Sequence, residues 1–171
     1  MPKLPRVSGA EAIRALDERY KLYAFLSSSL PDYILISPAG ASVLVPRSDS
    51  GEVACVRDKW STKSRGGILA LFGGSPGDPT AEANRQLQKL RKVLDDAGLQ
   101  DVPASSVIVF TNPKVRLRVE ASTVNVARTA KLEEVLRRMA GKGRSVALTT
   151  QRIREVQRVF DDLMRAAPSW R

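Results

Sequence analysis

Apolar and polar positions change their period several times along this chain, and each change predicts an element. "SGAEAIRALDERY" (8–20) carries Ala12, Ile13 and Leu16 on one helical face, with Ser8 and Glu11 at the spacing of a capping box. "KLYAFLSS" (21–28) and "DYILIS" (32–37) then read as strands, the second so continuously apolar that it predicts a central strand. "PAG" turns the chain into "ASVLV" (41–45), "SDSG" turns it again, and "EVACVRDKW" (52–60) reads as a fourth strand. Turns this short predict an antiparallel meander of four strands.

Residues 61–78 have no period. Four glycines flank the apolar island "ILALF", which predicts a flexible loop able to dock its tip, or a tolerated surface insertion. A helix is predicted from Pro79 to Ala97. Asp78 suits its cap, Pro79 its first turn and Gly98 its stop, and Leu87, Leu90, Val93 and Leu94 form the inward stripe. "SSVIVF" (105–110) follows as a short apolar strand, so the crossover predicts parallel pairing with an earlier strand. "KVRLRVE" alternates strictly: Val115, Leu117 and Val119 face one way, Lys114, Arg116, Arg118 and Glu120 the other. "STVNVA" reads as a last strand. Helices are predicted over 130–140, capped by Thr129 with Leu132, Val135, Leu136 and Met139 inward, and over 150–165, with Ile153, Val156, Phe160 and Leu163 inward. The pattern is that of an α/β (α+β) fold, a mixed sheet flanked by helices. One domain is expected over 9–165, with a loose arm at 1–8 and a tail at 166–171.

Charge changes this picture more than composition does. The chain has 28 basic and 18 acidic residues, a net charge of +10, which points to a polyanion: nucleic acid first, an anionic membrane second. There is no histidine, which removes His-based catalysis and His-ligated metals. The single cysteine, Cys55, lies in the apolar phase of its strand and reads as core filler; no intrachain disulfide can form, which suits the cytoplasm. No window is apolar enough for a membrane span, so no membrane partner is expected. The basic residues fall into groups: Lys59, Lys63 and Arg65 around the loop; Lys114, Arg116 and Arg118 on one strand face; Arg137, Arg138, Lys142 and Arg144 at the end of one helix; and Arg152, Arg154 and Arg158 on the last. The first two are the candidate phosphate-binding groups, since basic residues at a helix C-terminus also serve its dipole. A basic strand row can likewise protect a sheet edge.

The order of elements and of certain residues resembles the nuclease-related domain (NERD), a family of the PD-(D/E)xK nuclease superfamily. "GAE" (9–11) is similar to the family's opening Gly-Glu, with Glu11 as its acid. "PDYILISPAG" is similar to its Asp-His strand and glycine turn, with Asp32 at the aspartate and Tyr33 in place of histidine. "ASVLVPRSDSG" is similar to the second core strand, which in the family ends in Glu-x-Lys; here Val45 and Arg47 stand at those two positions. Trp60, "DPTAEANRQ" and "VIVFTN" resemble the tryptophan, the Asn-Pro with its nearby glutamine, and the strand that follow. The likeness covers roughly residues 9 to 165 and rests on order and spacing, because no single match is specific.

The resemblance implies a restriction-endonuclease-like core and metal-dependent phosphodiester cleavage in which two acids hold Mg²⁺ or Mn²⁺ and a lysine assists the attacking water. The departures cut into that chemistry. Valine cannot bind a metal, and arginine does not act as a base, though it binds phosphate well. Asp32 with Glu11 makes a weak metal site, and rescue would need Asp49 or Glu52 to move in. Asp32 also suits a turn residue, Glu11 a capping acid, and Arg47 a solvated turn. The expected function is therefore a nuclease-like domain that binds nucleic acid, DNA ahead of RNA, through a basic surface with cleavage impaired or absent. Its catalytic remnant would be Asp32, Glu11 and Arg47, with Asp32 as the weak metal candidate. Two rivals stand beside it: an active endonuclease with a rearranged acidic site, and a protein-interaction module, self-associating or not, anchored through "ILALF".

Overall fold

The nearly continuous apolar run of "DYILIS" becomes a strand buried along most of its length. In the computed structural model, which describes residues 16–25, 27–63, 77–141 and 147–166, β1 (Lys21–Ala24), β2 (Tyr33–Ser37) and β3 (Gly40–Arg47) form an antiparallel meander. Ile34, Leu35 and Ile36 of β2 are fully buried, because side chains on both faces of this strand meet core. The β2–β3 turn is tight against the following crossover: Gly40 has φ +114°, its Cβ would collide with the Pro103 carbonyl oxygen, and Ala41 N–H donates to that oxygen at 2.9 Å.

α1 (Pro79–Asp96) forms where the cap chemistry put it. The Asp78 carboxylate accepts from Ala81 N–H at 2.9 Å, Pro79 fills the first position, and Gly98 (φ +70°) lets Leu99 N–H close back on the Leu94 carbonyl at 2.8 Å. The crossover delivers β6 (Ala104–Phe110) parallel to β3. β7 (Arg116–Ala121) and β8 (Asn125–Arg128) follow, then a 3₁₀ turn over Thr129–Lys131, α2 (Leu132–Gly141) and α3 (Thr150–Ala166). The described residues thus make two mixed sheets and three α-helices, a mixed α+β architecture. The large sheet has the order β1-β2-β3-β6-β8; the small sheet, with β4 (Glu52–Val56) and β5 (Lys59–Lys63), has the order β5-β4-β7.

Three apolar clusters hold the layers together. α1 and α3 cover one face of the large sheet, with Leu90, Ile153, Val156 and Phe160 against Ile34, Ile36 and Val43. α2 covers the other, with Leu132 and Leu136 against Leu35, Leu44 and Val107. The third cluster joins the sheets: Val45, Ile108 and Phe110 of the large one meet Val53 of the small one and Ala83 of α1. Among the described residues no helix is long and apolar enough to cross a membrane.

Several expectations are corrected. The fourth strand is two. Its chain reverses at Arg57 and Asp58, both with positive φ (49° and 62°), in the two-residue turn that suits strand twist. β4 does not continue the meander, because the free edge of β3 is taken by β6; it pairs instead with β5 and, in parallel, with β7. There are consequently two sheets where one was expected. The first predicted helix does not reach Tyr20. Asp17–Tyr20 is a turn in which the Asp17 carboxylate accepts from the Arg19 backbone N–H, a local bond that competes with helix; residues 8–15 lie outside the described residues. Thr129 does not cap α2, since its hydroxyl donates to the Phe110 carbonyl at 3.4 Å. Val119 stays in register opposite Cys55, on the face it shares with Leu117, yet is 42% exposed. The predicted 61–78 loop begins late, since residues 61–63 belong to β5; residues 64–76, with "ILALF", are outside the described residues.

Candidate nucleic-acid interface

The candidate residues fall in two regions: the start of β2 with the end of β3, and the open face of the small sheet. Asp32 immediately precedes β2 and is exposed. Its backbone is pinned on both sides: the carbonyl accepts from Phe25 N–H at 2.9 Å, and the N–H donates to Gln86 Oε1 at 3.1 Å. The buried Gln86 amide donates in turn to Asp32 Oδ2 at 3.3 Å and Glu82 Oε1 at 2.9 Å. The glutamine of "DPTAEANRQ" thus reaches the aspartate of "PDYILIS" across more than fifty residues. Burial, and after it the Asp32 charge, pushes the Tyr33 phenol up.

The second half of the motif is occupied differently. Val45 is 6% exposed and packs with Ile108, Phe110 and Val53, so the position of the family's glutamate is part of a dry apolar cluster. Arg47 makes a two-pronged pair with Asp49, at 2.8 and 2.9 Å, and its carbonyl accepts from Thr111 N–H at 2.8 Å. Asp49 is therefore engaged beside Arg47, and Glu52 faces Arg116 at 3.6 Å. Among the described residues no group of three or more His, Cys, Asp or Glu is placed to hold a metal ion. The described donor set does not fit an Mg²⁺ or Mn²⁺ centre, which needs several convergent oxygens. Glu11 lies outside the described residues.

The small sheet gathers the basic residues. Its inner face carries Val53 and Cys55, both buried, and Trp60, whose Nε1 donates to Thr80 Oγ1 at 2.9 Å and whose ring lies 5.8 Å from Phe110. Burial pushes the Cys55 thiol up, as befits core filler. Side chains alternate along each strand, so the other face carries Glu52, Ala54 and Val56 of β4. The register sets Ser61 and Arg118 on either side of Ala54, and Lys63 and Arg116 on either side of Glu52. Lys59 lies across from Val56, and Lys114 precedes β7, its N–H bonded to the Asn112 side chain at 2.9 Å. The two basic groups that the sequence keeps apart, one on β5 and one on β7, are thereby brought to one sheet; Arg65 lies outside the described residues. A depression of about 370 Å³ runs over Ala54, Ser61, Arg116 and Arg118.

Pairing separates these cations from the rest. Seven of the 28 basic residues and one of the 18 acids lie outside the described residues, which leaves the described part near +4, so placement matters more than total. On the helices most cations are engaged: Arg85 with Glu82, Lys92 with Asp96, Arg137 with Glu133, Arg138 with Glu134, and Arg152 with Asp101 and Glu155. Lys89, Arg91 and Arg158 are exceptions, on two different helices. On the small sheet Lys59, Lys114 and Arg118 are exposed and have no ion-pair partner among the described residues, and Arg57 sits beside them in the β4–β5 turn. Arg116 has an ion-pair partner, Glu52.

Sequence reasoning missed Glu82 and Arg57. The first sits in a helix with nothing to mark it as a neighbour of Asp32. The second turns the chain without a glycine. No family model, curated protein or solved structure matches the chain.

Proposed function

We propose that this chain is a nuclease-like domain that grips nucleic acid, DNA ahead of RNA, through the open face of its small sheet, and that metal-dependent cleavage is impaired or absent. The observation that carries the reading is the gathering of cations without an ion pair, Lys59 and Arg118 on one three-stranded sheet and Lys114 just before β7, while the helix arginines are mostly ion-paired. Each unpaired cation can displace counterions from a phosphate backbone without first breaking a pair inside the protein. Loss of cleavage is supported by the buried Val45 and the Arg47–Asp49 pair.

The face offers no arrangement that reads base edges, so binding is sequence-tolerant and salt-sensitive. Gel retardation at low salt tests the grip, and incubation of plasmid with Mn²⁺ tests the chemistry. Retardation without cleavage supports the proposal. Absence of retardation sinks the binding reading, and cleavage that disappears in Asp32→Ala sinks the reading of a lost active site.

A further inference from the structure

The geometry points to duplex nucleic acid, rather than unpaired strands, as the partner of the small sheet's open face; the inference rests on the binding function proposed above. Proteins that hold single strands without sequence preference combine a basic groove with aromatic rings on which bases stack. The cations are present here, and the rings among the described residues are turned away. Trp60, the aromatic residue of the small sheet, points inward and is fixed by its bond to Thr80 and its contact with Phe110. Tyr23, Phe25 and Phe160 are packed together under α3, and Tyr20 and Tyr33 pack into the α2 side of the large sheet. Among the described residues no ring reaches the face that holds Lys59 and Arg118.

What that face presents is mostly small or cationic, with one acid, Glu52, beside Arg116 and the exposed Val56 at its end. Ala54 and Ser61 form its floor, and Arg116 and Arg118 stand two residues apart on β7. Such a floor lets a phosphate backbone approach closely and offers nothing to a splayed base. A duplex carries one charge per about 1.7 Å of axis, twice the density of one strand, and so gains more from cations that act only on phosphates.

The test compares fluorescence anisotropy of the full chain with a labelled duplex of roughly 20 base pairs and with one of its strands alone, at about 50 mM salt. The expected result is a duplex affinity at least about threefold higher than that for the strand, with a steeper salt dependence. A smaller ratio, or a preference for the single strand, overturns the inference and leaves the proposed function standing. Failure of both probes to bind overturns the proposed function, and the inference with it.

Discussion

The two sheets solve different problems with the same kind of strand. In the large sheet both faces are covered, by α1 and α3 on one side and α2 on the other, and its central strands carry Ile34, Leu35 and Ile36 with no exposure. In the small sheet one face meets core through Val53, Cys55 and Trp60, and the other is left to solvent with Lys59, Arg116 and Arg118. At the end of β3 in the large sheet, Val45 stands where the resemblance would have an acid and packs into an apolar cluster. The small sheet holds Lys59 and Arg118, exposed and without an ion-pair partner among the described residues. The positions that the proposed function reads as lost chemistry and as retained grip therefore lie on different sheets.

The sharpest way to break this contrast is to cut the large sheet's core. Phe160 is fully buried against Tyr23 and Phe25, with ring centroids 5.6 and 6.5 Å away. Phe160→Ala is expected to cost about 3–5 kcal/mol of stability, measured by urea unfolding. Next comes the open face. Lys59→Ala with Arg118→Ala should weaken duplex binding roughly tenfold and flatten the salt slope by about two, with unfolding unchanged.

A smaller effect tests how β1 is tied to α3. The Tyr23 hydroxyl lies 2.8 Å from Asp161 Oδ1, which also accepts from Lys21 Nζ at 2.7 Å. Tyr23→Phe should cost about 1 kcal/mol. The Lys21 ammonium, and to a lesser degree the Tyr23 hydroxyl, hold the Asp161 carboxyl below its ordinary value of 3.8. A depressed folded pKa gives stability that is present above the unfolded value and lost as pH falls through the folded one. Asp161→Asn should accordingly flatten the acid limb of a stability profile below about pH 4 and leave its neutral and alkaline limbs parallel to wild type. The smallest effect belongs to the open face itself: Val56, 43% exposed, should tolerate Val56→Ala within about 0.5 kcal/mol.

What was legible in the sequence was what local chemistry decides. Asp78, Pro79 and Gly98 bound α1 because caps are short-range, and the apolar run of β6 after a helix entails a crossover and hence parallel pairing with an earlier strand, which the structure identifies as β3. The stripes of α2 and α3 fell where helical spacing put them, on Leu132, Leu136, Ile153, Val156 and Phe160. What was not legible depends on partners distant in the chain. The departure of β4 into a second sheet is decided by which strand takes the edge of β3, and nothing within 52–60 encodes that competition. The Arg57–Asp58 turn lacks glycine; Asp58 is held there by Thr123, whose backbone N–H and hydroxyl each donate to it at 2.8 Å. For the candidate site, the basic residues were legible singly, and their union on one sheet was not. Ion pairing on the helices was readable in part, from the four-residue spacing of Glu133 with Arg137 and Glu134 with Arg138.

The most direct test sets one cation of the small sheet against two of a helix. Duplex affinity is measured over a salt series for wild type, for Arg118→Ala, and for Arg137→Ala combined with Arg138→Ala. The account predicts that Arg118→Ala weakens binding several-fold and lowers the salt slope by about one, while the helix double variant stays within about twofold of wild type. A helix variant that loses as much affinity as Arg118→Ala, or more, would contradict it.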